Sequence, residues 1–473
     1  MSSTRGPWNQ SNERGTALIG VLLLLLLMSA LASALVISGQ TETLVSRNHE
    51  SAAQARAAAE AGLNHASETV ITWILAFKQN GFDDAAEAMD ALLVGVDGDP
   101  DFLVGVTFGD AGEPTAIAGA SDGEYHVFLM DEDDEDARSD DATDLTGDAP
   151  TWNDEDGNPL TDANRAVVIQ AVGYAGRLRQ GGNVATARLE AIISPYRFPA
   201  IAADGDLTIN GSAVEVTVSN EAIGGVHANG DLTFSGSSSI VGSPPELGTA
   251  TSPGDCEDCL LDGITTNPMA SGGGKPRLEI PKIRASDFET WADYILHDDG
   301  NIEDTTTGLT VASCAKSCSL SGWSYQSKSQ EWTLTSTMGL QSTGTFYVEG
   351  PVTISAGTLA NPAVATIIAE GTINASGNNH IVPDAGDLLF VTDKDLELSG
   401  SFQAGTLLSQ GQMLVHEQIA ISGNAVIFGQ IVVENATTTE TPDVSDIGGS
   451  VAITNTQDVG SSMFHVSGWR EVR

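Results

Sequence analysis

From Arg14 to Gly81 the chain contains no proline and no cluster of turn residues. Between Arg14 and Glu42 it carries no charged side chain at all. At the rise of an α-helix that uncharged span measures about 40 Å, enough to cross a bilayer core of about 30 Å. Beyond it the apolar residues become periodic. Ala59, Leu63, Ala66, Val70, Trp73 and Phe77 step by four and three, which is one stripe of an amphipathic helix. The stretch therefore predicts one continuous helix, apolar all round in its first half and one-sided in its second. Gly81 after Asn80 is the expected stop.

A short polar leader ends in Arg14-Gly15 and leads into an apolar helix that continues as an alanine-rich one. This resembles the class III signal of type IV pilins and pseudopilins. AAAEAGLNHA (57–66) resembles the corresponding segment of PilX-type pilus assembly proteins. The resemblance covers about the first 80 residues well and the next 115 loosely. It implies cleavage between Gly15 and Thr16 by a prepilin peptidase, with methylation of the new N-terminus. It implies other minor and major pilins and the inner-membrane assembly machinery as partners. The chain would cross the inner membrane once before assembly and be extracellular afterwards. Most pilins carry glutamate at the fifth position after the cut, where this chain has Gly20. A carboxylate in hydrocarbon costs a few kcal/mol unless it is paired, and a subunit at a filament tip has no neighbour above it. By analogy with K-type minor pseudopilins, which also lack this residue, Gly20 points to the tip. An ordinary secretory signal has similar parts, with Ala-x-Ala at 30–32 and 32–34. A plain one-pass anchor differs only in leaving Gly15 uncut.

The chain has 473 residues and a formal charge of −44. A surface that negative repels nucleic acid and anionic lipid, and both are discounted as partners. Residues 82–195 read as a small α+β head, with a short acidic helix in DDAAEAMDALLVG and strands at 102–109, 124–130, 166–176 and 184–193. The acidic insert 131–165 interrupts it. PilX-like and K-type relatives carry acidic calcium-binding loops, which makes Asp154, Asp156 and Asp162 the expected Ca2+ ligands. Trp152 stands where an EF-hand needs its first ligand, so that loop type is excluded. A solvated insert held open by its own charge is the equal alternative.

From Phe198 the texture changes. GDLTING (205–211) returns as GDLTFSG (230–236), and VEGPVTIS (348–355), AEGTINASG (369–377), TDKDLELSG (392–400) and HEQIAISG (416–423) recur every 21 to 24 residues. A strand, a glycine turn and another strand make one coil of a right-handed parallel β-helix, whose coils stack on a continuous aliphatic core. The expected fold class is thus α+β: a pilin-like helix with a small head, then a mainly parallel β-solenoid. In segments, 1–15 is a leader, 16–81 the helix and 82–195 the head. First coils occupy 196–242, an insert or cap 243–335, further coils 336–440 and terminal strands 441–473. A helix is expected at 285–296, where Ser286 and Glu289 make a capping-box pattern. The arrangement resembles bacterial pilus assembly proteins with GDLTxSG-type repeats.

The four cysteines form two close pairs, Cys256 with Cys259 and Cys314 with Cys318. Beyond a membrane helix disulfides persist, although four cysteines allow three connectivities and a four-thiolate zinc site is the rival.

No catalytic constellation emerges. GASDG (119–123) precedes a strand rather than a helix, so Ser121 is no nucleophile elbow. GGGK (272–275) lacks phosphate-loop spacing. Glu349, Glu370, Asp393, Asp395 and Glu417 suggest an acidic ladder along the repeats, more in keeping with solvation or ion binding than with catalysis. The expected function is a non-enzymatic minor pilin-like subunit that primes assembly and presents the solenoid to a surface or glycan. The alternative is a secreted or anchored β-helix adhesin or polysaccharide-active enzyme outside any filament. If the acidic insert holds calcium, chelator lowers the melting temperature of the protein. An unchanged melting curve removes calcium from the account.

Overall fold

The structure, a computed structural model, describes residues 11–77, the head strands between 115 and 196, 198–455 apart from short interruptions, and 464–472. Ser11–Leu75 is one helix of 65 residues, about 100 Å long at 1.5 Å per residue. Residues 18–50 of it are exposed, and its buried stripe begins at Ala55. The expected stop at Gly81, the acidic helix of DDAAEAMDALLVG except Ala88, and the strand at 102–109 lie outside the described residues.

The helix lies on a five-stranded antiparallel sheet made of Thr115–Ala116, Gly123–Asp131, Val167–Ala175, Ala185–Pro195 and Phe464–Val472 in that order. Ala55, Ala58 and Ala59 let the two backbones approach closely. A Cβ on Gly173 would sit 2.1 Å from the Ala55 carbonyl oxygen, so only glycine fits there. The His65 ring pairs with the Tyr125 hydroxyl at 2.8 Å across the same seam. The last strand of the sheet comes from the far end of the chain. Phe464–Val472 runs antiparallel to Ala185–Pro195, with Phe464 opposite Pro195 and Val472 opposite Arg188. Everything between Pro195 and Phe464 is thus inserted into the head.

That insertion is a solenoid with three parallel faces. The first face stacks Gly344–Val348, Ala363–Ala369, Leu388–Thr392, Gly411–Val415 and Asn424–Val433. The second stacks Val352–Ile354, Ile373–Val382, Leu396–Ala404 and Ile419–Ile421. Longer strands bend round the corner into the third face, where Asn378, Ser401, Asn424 and Ser450 stand in register. Alternate residues point inward, and Phe346, Ile367, Phe390, Met413 and Ile431 are among those filling the core.

The coils are not stacked in sequence order. The chain enters in the middle of the stack, at Ile201–Ala203, and winds outward through Val226–Ala228 and Ala250–Thr251 to Gly272. Residues 275–293 then return along the outside of the first face. The chain restarts at the opposite end with Tyr294–Leu296 and winds back toward its entry. The final coil closes on the first along all three faces, pairing Ile431 with Ile201, Ser445 with Leu207 and Ser450 with Ala213.

Two expectations are corrected here. Residues 243–335 do not interrupt the solenoid as one insert: 250–272 continue its first run, and 294–334 cap the other end with antiparallel hairpins. The helix expected at 285–296 is a 3-10 turn, Ala285–Trp291, followed by the strand Tyr294–Leu296. Ser286 forms no cap, because the turn begins at Ala285: Arg284 holds the N-cap position, without a side-chain capping bond, and Ser286 lies inside the first turn. Phe288 and Trp291 are buried as the periodicity predicts, but the lattice they fill is supplied by the neighbouring helix and sheet.

The repeated Ser-Gly of the sequence, replaced by Gly448-Gly449 in the last coil, marks the corner between the second and third faces. Gly377, Gly400, Gly423 and Gly449 have φ of 94°, 85°, 95° and 90°. A Cβ on Gly423 would lie 2.5 Å from the Gly400 oxygen, and one on Gly449 2.2 Å from the Gly423 oxygen. Handedness and closeness both demand glycine here. Gly423→Ala is expected to cost about 2 kcal/mol or more, read as a lower melting temperature. Gly308→Ala has a comparable φ of 63° but nothing within 4 Å of the new Cβ, and its loss should be smaller. Equal losses would mean that stacking does not set the requirement.

Candidate functional site

Two surfaces stand out: the bare helix at one end of the molecule, and the face along which the returning segment 275–293 is strapped. The helix exposes Leu18 to Met28, Leu31, Leu35, Val36, Ile37 and Leu44 to solvent. It is the one described helix long and apolar enough to cross a membrane. Gly15 and Thr16 lie within its helical backbone. Gly20 lies on its surface, and a Cβ there would meet nothing within 4 Å.

The strap exists because the first face is apolar on both sides. Its outward residues Tyr347, Ile368, Val391, Leu414, Val432 and Ala202 form a column of side chains that water would otherwise meet. Ile283, Phe288 and Trp291 of the strap cover them, together with Ile74 and Phe77 from the end of the long helix. The Phe77 and Trp291 rings meet edge to face at 4.7 Å. Burying side chains of this size contributes about 1.5–3 kcal/mol each.

A polar rail beside this column holds the strap by its backbone. The residue after each first-face strand stands in one register: Glu349, Glu370, Asp393, His416, Glu434, Asp204 and Asn229. The amide of Ala285 donates to Asp393 Oδ1 at 2.6 Å, and that of Ile283 to Glu434 Oε2 at 2.8 Å. Asn229 closes a two-way pair with the backbone of Leu278, at 2.6 and 2.8 Å. Arg277 reaches Asp204 at 3.0 Å. His416 steadies Glu434 through a 2.6 Å contact. The Tyr347 hydroxyl donates to Glu370 at 2.7 Å, and burial together with that carboxylate holds the phenol protonated far above its ordinary range. Peptide amides that a face-crossing segment cannot pair in a sheet are paired here with carboxylates, which make the stronger hydrogen bonds.

The acidic ladder expected from the repeats is therefore split. Glu349, Glu370 and Asp393 belong to the rail. Asp395 and Glu417 fall in other registers, and Glu417 takes Lys394 at 2.5 Å. Asn229, Asp204 and Glu434 are rail members that sequence reasoning missed. Their signal was present, a polar residue directly after an apolar run, but their partners are 49, 73 and 151 residues away.

The other predicted sites are dispersed. Asp154, Asp156, Asp162, Ser121, Cys259 and Cys318 lie outside the described residues. Cys256 lies in the coil at the end of the first run and Cys314 beside the opposite cap, so the two are not partners of each other. Neither is a free thiol. GGGK forms the edge of the last coil of the first run, where the Lys275 amide donates to the Ser252 carbonyl. Among the described residues no three His, Cys, Asp or Glu side chains converge as metal ligands.

The PilX N-terminal family model matches residues 14–64. The chain is type IV pilin-like, by its PilX-type N-terminus. The matched segment ends inside the stripe that docks on the head sheet. Among solved structures, the competence-associated pilin ComZ from Thermus thermophilus is similar at 15% identity, covering 89% of this chain and 97% of that one, with a TM-score of 0.29. No curated protein matches the chain.

Two measurements test the rail of this pilin-like chain. Asp393→Ala with Glu434→Ala should free the strap, and trypsin should then cut at Arg277, Lys282 and Arg284 several-fold faster. Unchanged digestion would mean that apolar burial alone holds the segment. At the capped end His297 sits between Glu303 at 3.3 Å and Glu349 at 3.1 Å. Burial lowers its pKa, but the hydrogen bonds and charges of Glu349 and Glu303 outweigh that and raise it above 6.5. The stabilisation is thus present in full below the unfolded value and is lost as pH rises through the folded one. His297→Gln should lower the melting temperature most at pH below the unfolded histidine value and lose that effect as pH rises through the raised folded one.

Proposed function

We propose that this chain is a minor-pilin-like, PilX-like subunit of a type IV pilus or related filament, placed at the tip, where it primes assembly and presents the solenoid for attachment. The observation that carries the reading is the PilX-type N-terminus on a helix whose apolar first half is exposed. An uncovered apolar helix needs either a bilayer or neighbouring helices. In this reading it has the first before assembly and the second after it. Gly20 supports the tip, since a subunit there has no N-terminal amine above it to pair with a glutamate.

The architecture supports the same position. The solenoid leaves and rejoins the head in the middle of its own stack, so it extends in both directions from that junction, roughly 40 Å in all at about 4.8 Å per coil. Such a body is hard to seat between helically packed subunits and has room at an end. The partners are other minor and major pilins, a prepilin peptidase acting between Gly15 and Thr16, and the inner-membrane assembly machinery. The protein acts as a structural subunit rather than an enzyme. Disulfides Cys256–Cys259 and Cys314–Cys318, each local, would pin the two ends of the solenoid. A calcium ion held by Asp154, Asp156 and Asp162 belongs to the same reading.

The test is the mature N-terminus, read by mass spectrometry from cells with and without prepilin peptidase. A chain beginning at methylated Thr16 only when the peptidase is present is the expected result. A chain beginning near Ser33 or Leu35 overturns the filament role and leaves a secreted β-helix. Non-reducing peptide maps of the same samples should show the two local disulfides.

A further inference from the structure

The three faces of the solenoid differ in what they offer. The first is covered by the strap. The second carries carboxylates on its outer side, with Glu397 bonded to Asn374 and Asp446 to Asn210, each at 2.6 Å. The third carries none across four consecutive coils, and its nearest carboxylate is exposed Glu215, paired with Ala452 in the coil that follows. Across 378–382, 401–404, 424–428 and 450–454 there is no Asp, Glu, Lys or Arg, in a chain of formal charge −44. One outward column is Asn378, Ser401, Asn424 and Ser450, all exposed. The next begins at His380, which is buried with its Nε2 on the Gly405 carbonyl at 3.1 Å, and continues through half-buried Gln403, exposed Val426 and half-buried Ala452. Phe428 and Thr454 begin a third, both half-buried. The patch is flat and measures roughly 15 Å along each side, from the spacings of strands and residues.

Two hairpins of one design border it. Ala356-Gly357-Thr358-Leu359 and Ala404-Gly405-Thr406-Leu407 share the sequence AGTL. Each turns at a glycine of positive φ, 82° and 67°. Each is closed by a two-way backbone pair, Thr358 with Asn361 and Thr406 with Ser409. In each, the amide that closes the pair on the far side, Asn361 or Ser409, is shared with the threonine hydroxyl, at 3.2 and 3.1 Å. Gly357 abuts the His380 carbonyl, and the Gly405 amide donates to the Ile381 carbonyl, so the hairpins lie on either side of one coil. Their tips hold Leu359 at 77%, Leu407 at 55% and Leu408 at 89% exposure. Rigid turns that hold bare leucines in water do nothing for the fold.

We propose that this third face, edged by the two leucine hairpins, binds a neutral polysaccharide. Sugar polymers offer hydroxyls that pair with amides and alcohols, and apolar ring faces that pack on aliphatic and aromatic carbon. Asn378, Ser401, Gln403 and Asn424 supply the first, and Val426, Phe428 and the leucines the second. A cationic partner would find stronger purchase on the acidic faces, and an anionic one is repelled by the whole molecule. A second copy would bring two bodies of charge −44 together. The inference rests on the reading that the solenoid is the presented part of the subunit.

The experiment uses the full-length protein in detergent, applied to cellulose, chitin, starch and mannan, with alginate as the anionic control. Retention on at least one neutral polymer and none on alginate is expected. Asn424→Asp combined with Val426→Asp places carboxylates that binding would have to desolvate, and should weaken retention by about tenfold or more. Leu408→Ser should weaken it less. Ala420→Asp on the second face should bind as the parent does, and melting curves report whether each variant is folded. Passage of the parent through every neutral matrix overturns the proposal, as does equal retention on alginate. So does unaltered binding by the folded double variant, or dimerisation that the same substitutions abolish. Filaments are counted in cells carrying the double variant: retention lost with filaments intact supports the face, and filaments absent with peptidase-independent processing sinks the subunit reading alone.

Discussion

The fold depends on the pairing of Ile201–Ala203 with Ile431–Val433. A parallel coil leaves a row of unpaired amides and carbonyls on each side, and the first coil of this solenoid is laid down with one side open. That side faces the position its last coil will occupy, more than 200 residues later. When the second run of coils arrives, all three faces close at once, and the glycine corner continues across the junction from Gly449 to Gly211. Nothing in the register distinguishes this junction from those between consecutive coils. The entry and exit of the solenoid are therefore adjacent, which is what lets Ala185–Pro195 and Phe464–Val472 pair in the head.

The strap follows from the same closure. To reach the opposite end of the stack the chain must run along a face, and it runs along the one whose outward residues are apolar. A segment lying across strands rather than beside them cannot join their ladder, so its amides need other acceptors. Asp393 and Glu434 provide them, and Asn229 serves both a donor and an acceptor of Leu278. The end of the long helix completes the cover through Ile74 and Phe77. Helix, head and solenoid thus share one apolar layer, and movement of the helix end is resisted by the solenoid as well as by the head.

The chain divides its labour along its length. The apolar half of the helix is exposed, the amphipathic half is committed to the head, and the solenoid is inserted into the head. Of the three solenoid faces, one is spent on the strap and one is acidic. The third presents neutral side chains across four consecutive coils, as far as Glu215, beside rigid apolar tips.

The sequence by itself determined what local periodicity can determine. An uncharged run followed by a stripe at four and three makes one helix wherever it is placed, and the stripe names the residues that face the head. Repeats of strand, Ser-Gly and strand specify coils, because left-handed glycine corners and alternating apolar residues are properties of each coil alone. Only the tertiary structure decided the order of the coils, the origin of the fifth head strand and the path of the strap. Parallel pairing depends on backbone groups that every residue carries, so Ile201 has no local mark that selects Ile431 over any other strand. The 3-10 turn at Ala285–Trp291 departs from the expected helix for a related reason: its apolar spacing suits a helix, but its first amide is taken by Asp393 and its rings by Phe77 and the first face, none of them nearby in sequence. The rail was half legible, since its acidic members recur with the coil, while the partners that give them a role are fixed by long-range closure.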